Sequence, residues 1–278
     1  MKRLISIELQ KIWKNKASRI LTLTYFILLS FIALIASIKF DIGPFKFHLA
    51  EMGIFNFPFI WHFNTYVAAW LKFFLAIVIV SMMANEYSYG TLKQNLIDGL
   101  SKKEFILSKF LTVTLFAFTS TVFVFVMSLI LGLCFSSYTE FGIIFSDLDY
   151  LLAFFVKLTG FFSFCLFLGI LVKRSAFALG FLLVWNIFEA IIRGVLAFQI
   201  FPDSNKDELI TQFLPLESMS NLIVNPAPRL SVVKNIGTQM GIQTDSDYSV
   251  HYLPVLIVAI WTFLFVYFSY KLLKSRDL

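Results

Sequence analysis

Six apolar runs, at residues 20–38, 63–84, 111–135, 150–172, 176–198 and 252–273, dominate this chain. Each approaches the ~20 residues that a helix needs to cross the hydrocarbon of a bilayer. The runs are continuous rather than alternating, which predicts helices and not the strands of a barrel. Of 278 residues, 59% are hydrophobic and 14% charged, against about 25% charged in a soluble domain. One water-facing core cannot hide that much apolar surface, so lipid is the expected solvent. The first run, Ile20–Ile38, has 19 residues and exceeds the ~7–15 of a signal-peptide core. It reads as a retained span, although Ala33 and Ala36 imitate a cleavage site. The fold class is therefore an all-α polytopic membrane protein, one transmembrane domain over 1–278 with six transmembrane helices. Cys134 and Cys165 both lie inside apolar runs and give no disulfide framework.

The basic residues set the expected orientation. Segments 1–19, 85–110, 173–175 and 271–278 hold fifteen of the 23 lysines and arginines. The alternate segments hold five, namely Lys39, Lys46, Lys206, Arg229 and Lys234. Both termini are thus expected in the cytoplasm, with 199–250 as a large extracytoplasmic loop. In that loop Asp203 or Ser204 is a candidate cap for a short helix through Leu214. At the N-terminus, Ile5, Leu9, Ile12 and Trp13 fall on one helical face. This predicts an interfacial helix over 1–16, lying on membrane lipids with its Trp at headgroup depth.

Between the second and third spans lies "NEYSYGTLKQNLIDGLSKKEFILSKF", Asn85 to Phe110. Gly90 and Gly99 bound a short helix in which Leu92, Leu96 and Ile97 share a face. Gly99 suits the left-handed position past a helix end. Ser101 and Glu104 have capping-box spacing, so a new helix starts at Lys102 and runs into the third span. The next loop on the same side, Lys173–Ser175, is too short to dock anything. A cytosolic partner must therefore use 85–110, with help from the N-terminal helix and the C-terminal tail.

At these residues the chain resembles the type-2 ABC transporter permeases, the membrane subunits of bacterial ABC exporters. The match runs through Glu86, Gly90, Thr91 and Leu92, then Gly99, Ser101, Lys102, Phe105, Ile106, Leu107 and Lys109. Asp98-Gly99 stands where the family often has Pro, and Lys102 where it usually has Arg. The layout is similar too, with an N-terminal interfacial helix, six spans and a larger outer region before the last. The resemblance implies a permease in the bacterial cytoplasmic (inner) membrane. A separate cytosolic ABC ATPase subunit, binding ATP and Mg, would dock on a coupling segment that includes Leu96 and Glu104. A second permease subunit, identical or related, would complete the complex.

No nucleotide-cradling G-x-x-x-x-G-K-[ST] loop is present, so the chain does not itself hydrolyse ATP. His48, His62 and His251 form no H-E-x-x-H and lie near or outside the membrane surface. No catalytic residue and no metal site is read, and the basic charge is explained by topology rather than by nucleic acid. Glu189 and Arg193 sit at i and i+4 on the fifth span, the spacing of an intrahelical ion pair. They are candidates for a translocation path or a subunit interface, or a neutralised pair packed on another helix. Lys72 and Lys157, two turns from the outer ends of their spans, suit snorkelling, with a path-lining role as the alternative. A membrane anchor or sensor that recruits a partner would use the same docking segment. A membrane enzyme would need a nucleophile and acid–base cluster that the sequence does not offer. The cargo is not legible.

Overall fold

Helices dominate the computed structural model, which describes residues 2–38, 40–42, 45–47, 52–201, 206–230, 233 and 247–276. The chain opens with α1 (Lys2–Lys14) and turns at Asn15, whose side chain accepts from the Ser18 amide to cap α2 (Lys16–Ser37). Strands β1 (Phe40–Ile42) and β2 (Phe45–Phe47) pair antiparallel, a small ribbon that the all-α reading did not include. Then follow α3 (Phe59–Trp70), α4 (Lys72–Ser88), α5 (Thr91–Ile97) and α6 (Lys102–Phe135). The chain continues through α7 (Phe141–Ile144), α8 (Asp149–Val172) and α9 (Ser175–Val195), the last extended by a π-turn over Leu196–Ile200. Beyond lie α10 (Lys206–Thr211), α11 (Pro215–Ser220), a 3₁₀ turn at Ala227–Arg229 and α12 (Tyr252–Lys274).

Five helical stretches, centred on α2, α6, α8, α9 and α12, are long and apolar enough to cross a membrane. The second apolar run, read as one span over 63–84, is instead two helices bent by 46°. The break is at Leu71, whose amide bonds Ala68 three residues back, and Phe74 in turn bonds Leu71. Such i→i−3 bonds tighten the backbone locally. No Pro or Gly marks the site, which is why the run looks continuous in sequence. The third run is the opposite case. The helix capped at Ser101 continues without interruption to Phe135, about 50 Å at 1.5 Å per residue.

The centre of the bundle is α8. Seventeen of its 24 residues are buried, against three of 21 in the peripheral α9. Helices α3, α4, α6, α9 and α12 all pack on α8. Small residues allow the closest approaches, the usual device where lipid removes the hydrophobic drive between helices. A Cβ added at Gly169 would lie 2.8 Å from the Met83 Cβ of α4, and one at Gly160 would lie 2.8 Å from Val258 Cγ1 of α12. At Gly169 the obstacle is itself fixed to a backbone, so α4 and α8 must move apart. Gly169→Ala should therefore destabilise by about 1–3 kcal/mol, read as a lowered melting temperature of the purified chain, while Gly180→Ala, with open space around it, should change little.

Two ends of the bundle can be named by content. Both α1 and the end of α12 meet the start of α6, which defines a terminal end. The distal end carries α7, α10, α11 and the segment up to Arg229. There the Trp61 indole donates to the Ile144 carbonyl at 2.9 Å, and Trp261 donates to Phe213 O at 2.9 Å. His62 is wholly buried within the protein and stacks on Tyr150 at 4.3 Å. Its Nε2 faces the Val224 carbonyl at 2.7 Å and its Nδ1 faces the Arg229 guanidinium at 3.0 Å. A carbonyl only accepts and a guanidinium only donates, so the ring is the neutral Nε2–H tautomer. His48 and the candidate caps Asp203 and Ser204 lie outside the described residues. The helix expected to run to Leu214 stops at Thr211, and a second one starts at Pro215.

Candidate functional site

Glu86 occupies the last turn of α4 and is 3% exposed. Just beyond it, Gly90 takes φ 67°, a left-handed conformation that turns the chain into α5 without a Cβ penalty. This turn presents Thr91 to Glu86, and the Thr91 hydroxyl donates to Glu86 Oε2 at 2.6 Å. Lys109, about two turns into α6, is fully buried. It donates to Glu86 Oε1 at 2.6 Å and also to Glu8 Oε2 of α1. Lys11 completes the set, donating to Glu86 Oε1 at 2.8 Å and lying 3.5 Å from Glu8 Oε1. Two carboxylates and two ammoniums thus form a formally neutral node that joins α1, α4, α5 and α6. Burial pulls the half-exposed Lys11 ammonium down. The Glu86 hydrogen bond and the charges of Glu8 and Glu86 outweigh it and hold Lys11 above its ordinary range.

Three residues singled out for the coupling segment, Glu86, Thr91 and Lys109, therefore meet in one contact network. Glu8 and Lys11 were not anticipated. The available signal was that Glu8 is the lone acid in a first segment holding six basic residues. Leu92 is buried beneath α5 and Leu96 is half-buried, but Ile97 is 76% exposed and does not share their face as expected. A seven-residue helix has too few turns to bury its last side chain once Gly99, at φ 97°, redirects the backbone. The capping box at Ser101 is formed. The Glu104 amide donates to Ser101 Oγ at 3.2 Å and the Ser101 amide donates to Glu104 Oε2 at 3.1 Å.

The C-terminal tail ties into the same end. Lys102 Nζ donates to the Arg276 carbonyl at 2.9 Å. Arg276 donates to the carbonyls of Ile170 at 2.6 Å and Leu171 at 3.0 Å, and to the Tyr87 hydroxyl at 3.2 Å. These bonds satisfy carbonyls that the C-terminus of α8 would otherwise leave open. On the outside of this assembly α5 presents Lys93, Gln94 and Ile97 to solvent, beside a Tyr89 that is 73% exposed.

Lys72, Lys157, Glu189 and Arg193 line one cavity of about 460 Å3 towards the distal side, among α3, α4, α8, α9 and α11. The expected Glu189–Arg193 ion pair does not form. Glu189 instead accepts from the amides of Leu216 (3.0 Å) and Glu217 (2.9 Å) and from the Trp185 indole (2.6 Å), capping the start of α11. Those donors lie where a carboxylate gains three charge-assisted bonds, more than an exposed guanidinium offers. Arg193 turns to Glu217 at 3.1 Å. Nor does Lys157 snorkel. It is buried and donates to the Ser220 carbonyl at 3.3 Å. Lys72 lies 4.3 Å from the Phe161 ring centroid, a cation–π contact.

One comparison with known proteins is local. Over 62 residues, 22% of this chain and 20% of the relative, the sequence is 37% identical to the "Uncharacterized protein YhcI" of Bacillus subtilis (strain 168). The matched stretch thus spans about a fifth of that relative's length. A second comparison is nearly global, since a family profile covers residues 20–278. The chain belongs to the family described as Protein of unknown function (DUF2705).

Proposed function

We propose that this chain is the transmembrane permease subunit of an ATP-driven exporter in the bacterial cytoplasmic membrane, with six spans and cytoplasmic termini. The observation that carries the reading is the two-sided character of α5. Its inner side is fastened through Thr91, Glu86 and Lys109 to α1, α4 and α6. Its outer side, with Ile97 and the adjacent Tyr89, is solvent-exposed at the end that carries the basic residues. Exposed apolar groups rimmed by charge are a docking feature.

A separate ATPase subunit, which binds ATP and Mg, docks there. A push on α5 reaches two long helices through buried charge-assisted bonds rather than through a slack loop. The resulting tilt of α4 and α6 opens the path or a lateral gate. The bend at Leu71 divides the second span into two rigid parts, which suits such a motion. The exposed apolar side of α9, including Leu183, Ile187 and Ile191, faces lipid or the second permease subunit. The half-exposed Trp13 and Leu9 rest α1 on the membrane interface.

The orientation is tested by a single cysteine. Gln94→Cys, in a background with the exposed Cys134 changed to Ser, should react with a membrane-impermeant maleimide only after the cells are opened. Labelling in intact cells contradicts the reading. In addition, the Tyr89→Asp, Ile97→Asp double variant should keep its melting temperature yet lower the affinity for the ATPase subunit roughly tenfold or more, the equivalent of about 1.4 kcal/mol.

A further inference from the structure

The cavity beneath α11 is lined by three basic side chains against two carboxylates, and two of the three, Lys72 and Lys157, form no ion pair among the described residues. Lys157 is buried in α8, and its partner among the described residues is a neutral carbonyl, Ser220 O, at 3.3 Å. Lys72, on α4, lines the same space and rests on the Phe161 ring. Neither nearby carboxylate forms an ion pair with them among the described residues. Both oxygens of Glu189 accept from Leu216, and one each from Trp185 and Glu217, while Glu217 carries Arg193. Removing a lone ammonium from water at membrane depth is expensive, and such groups mark ligand or ion paths. An anion brought in from outside removes that cost.

The cavity also has the right form. Its volume of about 460 Å3 lies within the range of about 300–1,000 Å3 typical of small-molecule sites. Asn186 adds an amide to the polar side, and Tyr66, Trp70 and Phe161 supply an aromatic wall. Trp70 is 68% exposed and Phe73 is 39% exposed, so apolar surface continues from the cavity towards the outside of the bundle.

We propose that this cavity binds the oxyanion head, phosphate or carboxylate, of an amphiphile, with Lys157 and Lys72 on the head and the tail along Trp70. Lysine suits either head, being a compact point charge rather than a planar fork. That such a ligand is cargo rests on the exporter reading; that it binds does not.

The test uses the purified full chain in a neutral detergent, without any ATPase, so binding and transport can fail separately. Thermal protection is titrated with oleoyl lysophosphatidic acid, with monooleoylglycerol and with inorganic phosphate. The lysophosphatidic acid should protect, and the Lys72→Met, Lys157→Met double variant should need at least ten times more for the same shift. Protection by inorganic phosphate, lost in the same variant, also supports the site and identifies a free anion as sufficient. Equal protection by the uncharged monooleoylglycerol, or an unchanged midpoint in the double variant, overturns the proposal. Should the double variant not fold, Lys72→Gln alone, on a half-buried side chain, must raise the midpoint at least threefold, and no change there is equally decisive.

Discussion

Lys109→Met should lower the stability of the folded chain by about 3 kcal/mol, the low end of what removing one partner of a buried ion pair costs. The substitution leaves Glu8 and Glu86, 5% and 3% exposed, to share Lys11, which is partly solvated. Two buried carboxylates then face each other across one ammonium. At roughly 2–4 °C per kcal/mol the melting temperature falls by about 6–12 °C. A second change diagnoses the cause. Glu8→Gln placed on Lys109→Met should restore part of the loss, because it removes one of the two stranded charges. A simple loss of packing at Lys109 would instead make the two changes add.

Glu189→Leu carries the second large effect. It strips the acceptor from the amides of Leu216 and Glu217 and from the Trp185 indole. A buried donor left unpaired costs about 1–3 kcal/mol, and the Leu216 amide is buried, so about 3 kcal/mol in total is expected. Arg193→Leu is the control. The Arg193 side chain is 55% exposed and pairs with Glu217 near the surface, so its removal should cost less than about 1 kcal/mol. The contrast separates the observed arrangement from an intrahelical Glu189–Arg193 pair, in which the two variants would behave alike. Melting curves of the three proteins decide it.

These two sites also show what the sequence makes legible. The apolar runs, the glycine-bounded α5 and the capping box at Ser101 are local patterns, and local chemistry produces them wherever they occur. Glu86, Thr91 and Lys109 could be picked out by their spacing and their likeness to a known segment. Their meeting point could not, because Glu8 joins Lys109 across 101 positions of sequence and no periodicity encodes such a distance. The i,i+4 spacing of Glu189 and Arg193 was misleading for a related reason. Spacing states which side chains can meet, while the choice among partners falls to the donors that the fold brings within reach, here two backbone amides at the start of α11. The bend at Leu71 has no Pro or Gly to announce it. Lys157 looked like a snorkelling residue because nothing in its neighbourhood of the chain reveals the cover provided by α11.

The central claim is that α5 is the docking point for an ATPase subunit. It is tested most directly by purifying the full chain in a gentle detergent from the cells that make it and identifying what comes with it by mass spectrometry. The same is done with Leu96→Pro, which breaks α5. The account predicts an ATPase subunit with the native chain and its loss from a folded Leu96→Pro variant. An abundant, folded native chain that brings no ATPase would contradict it.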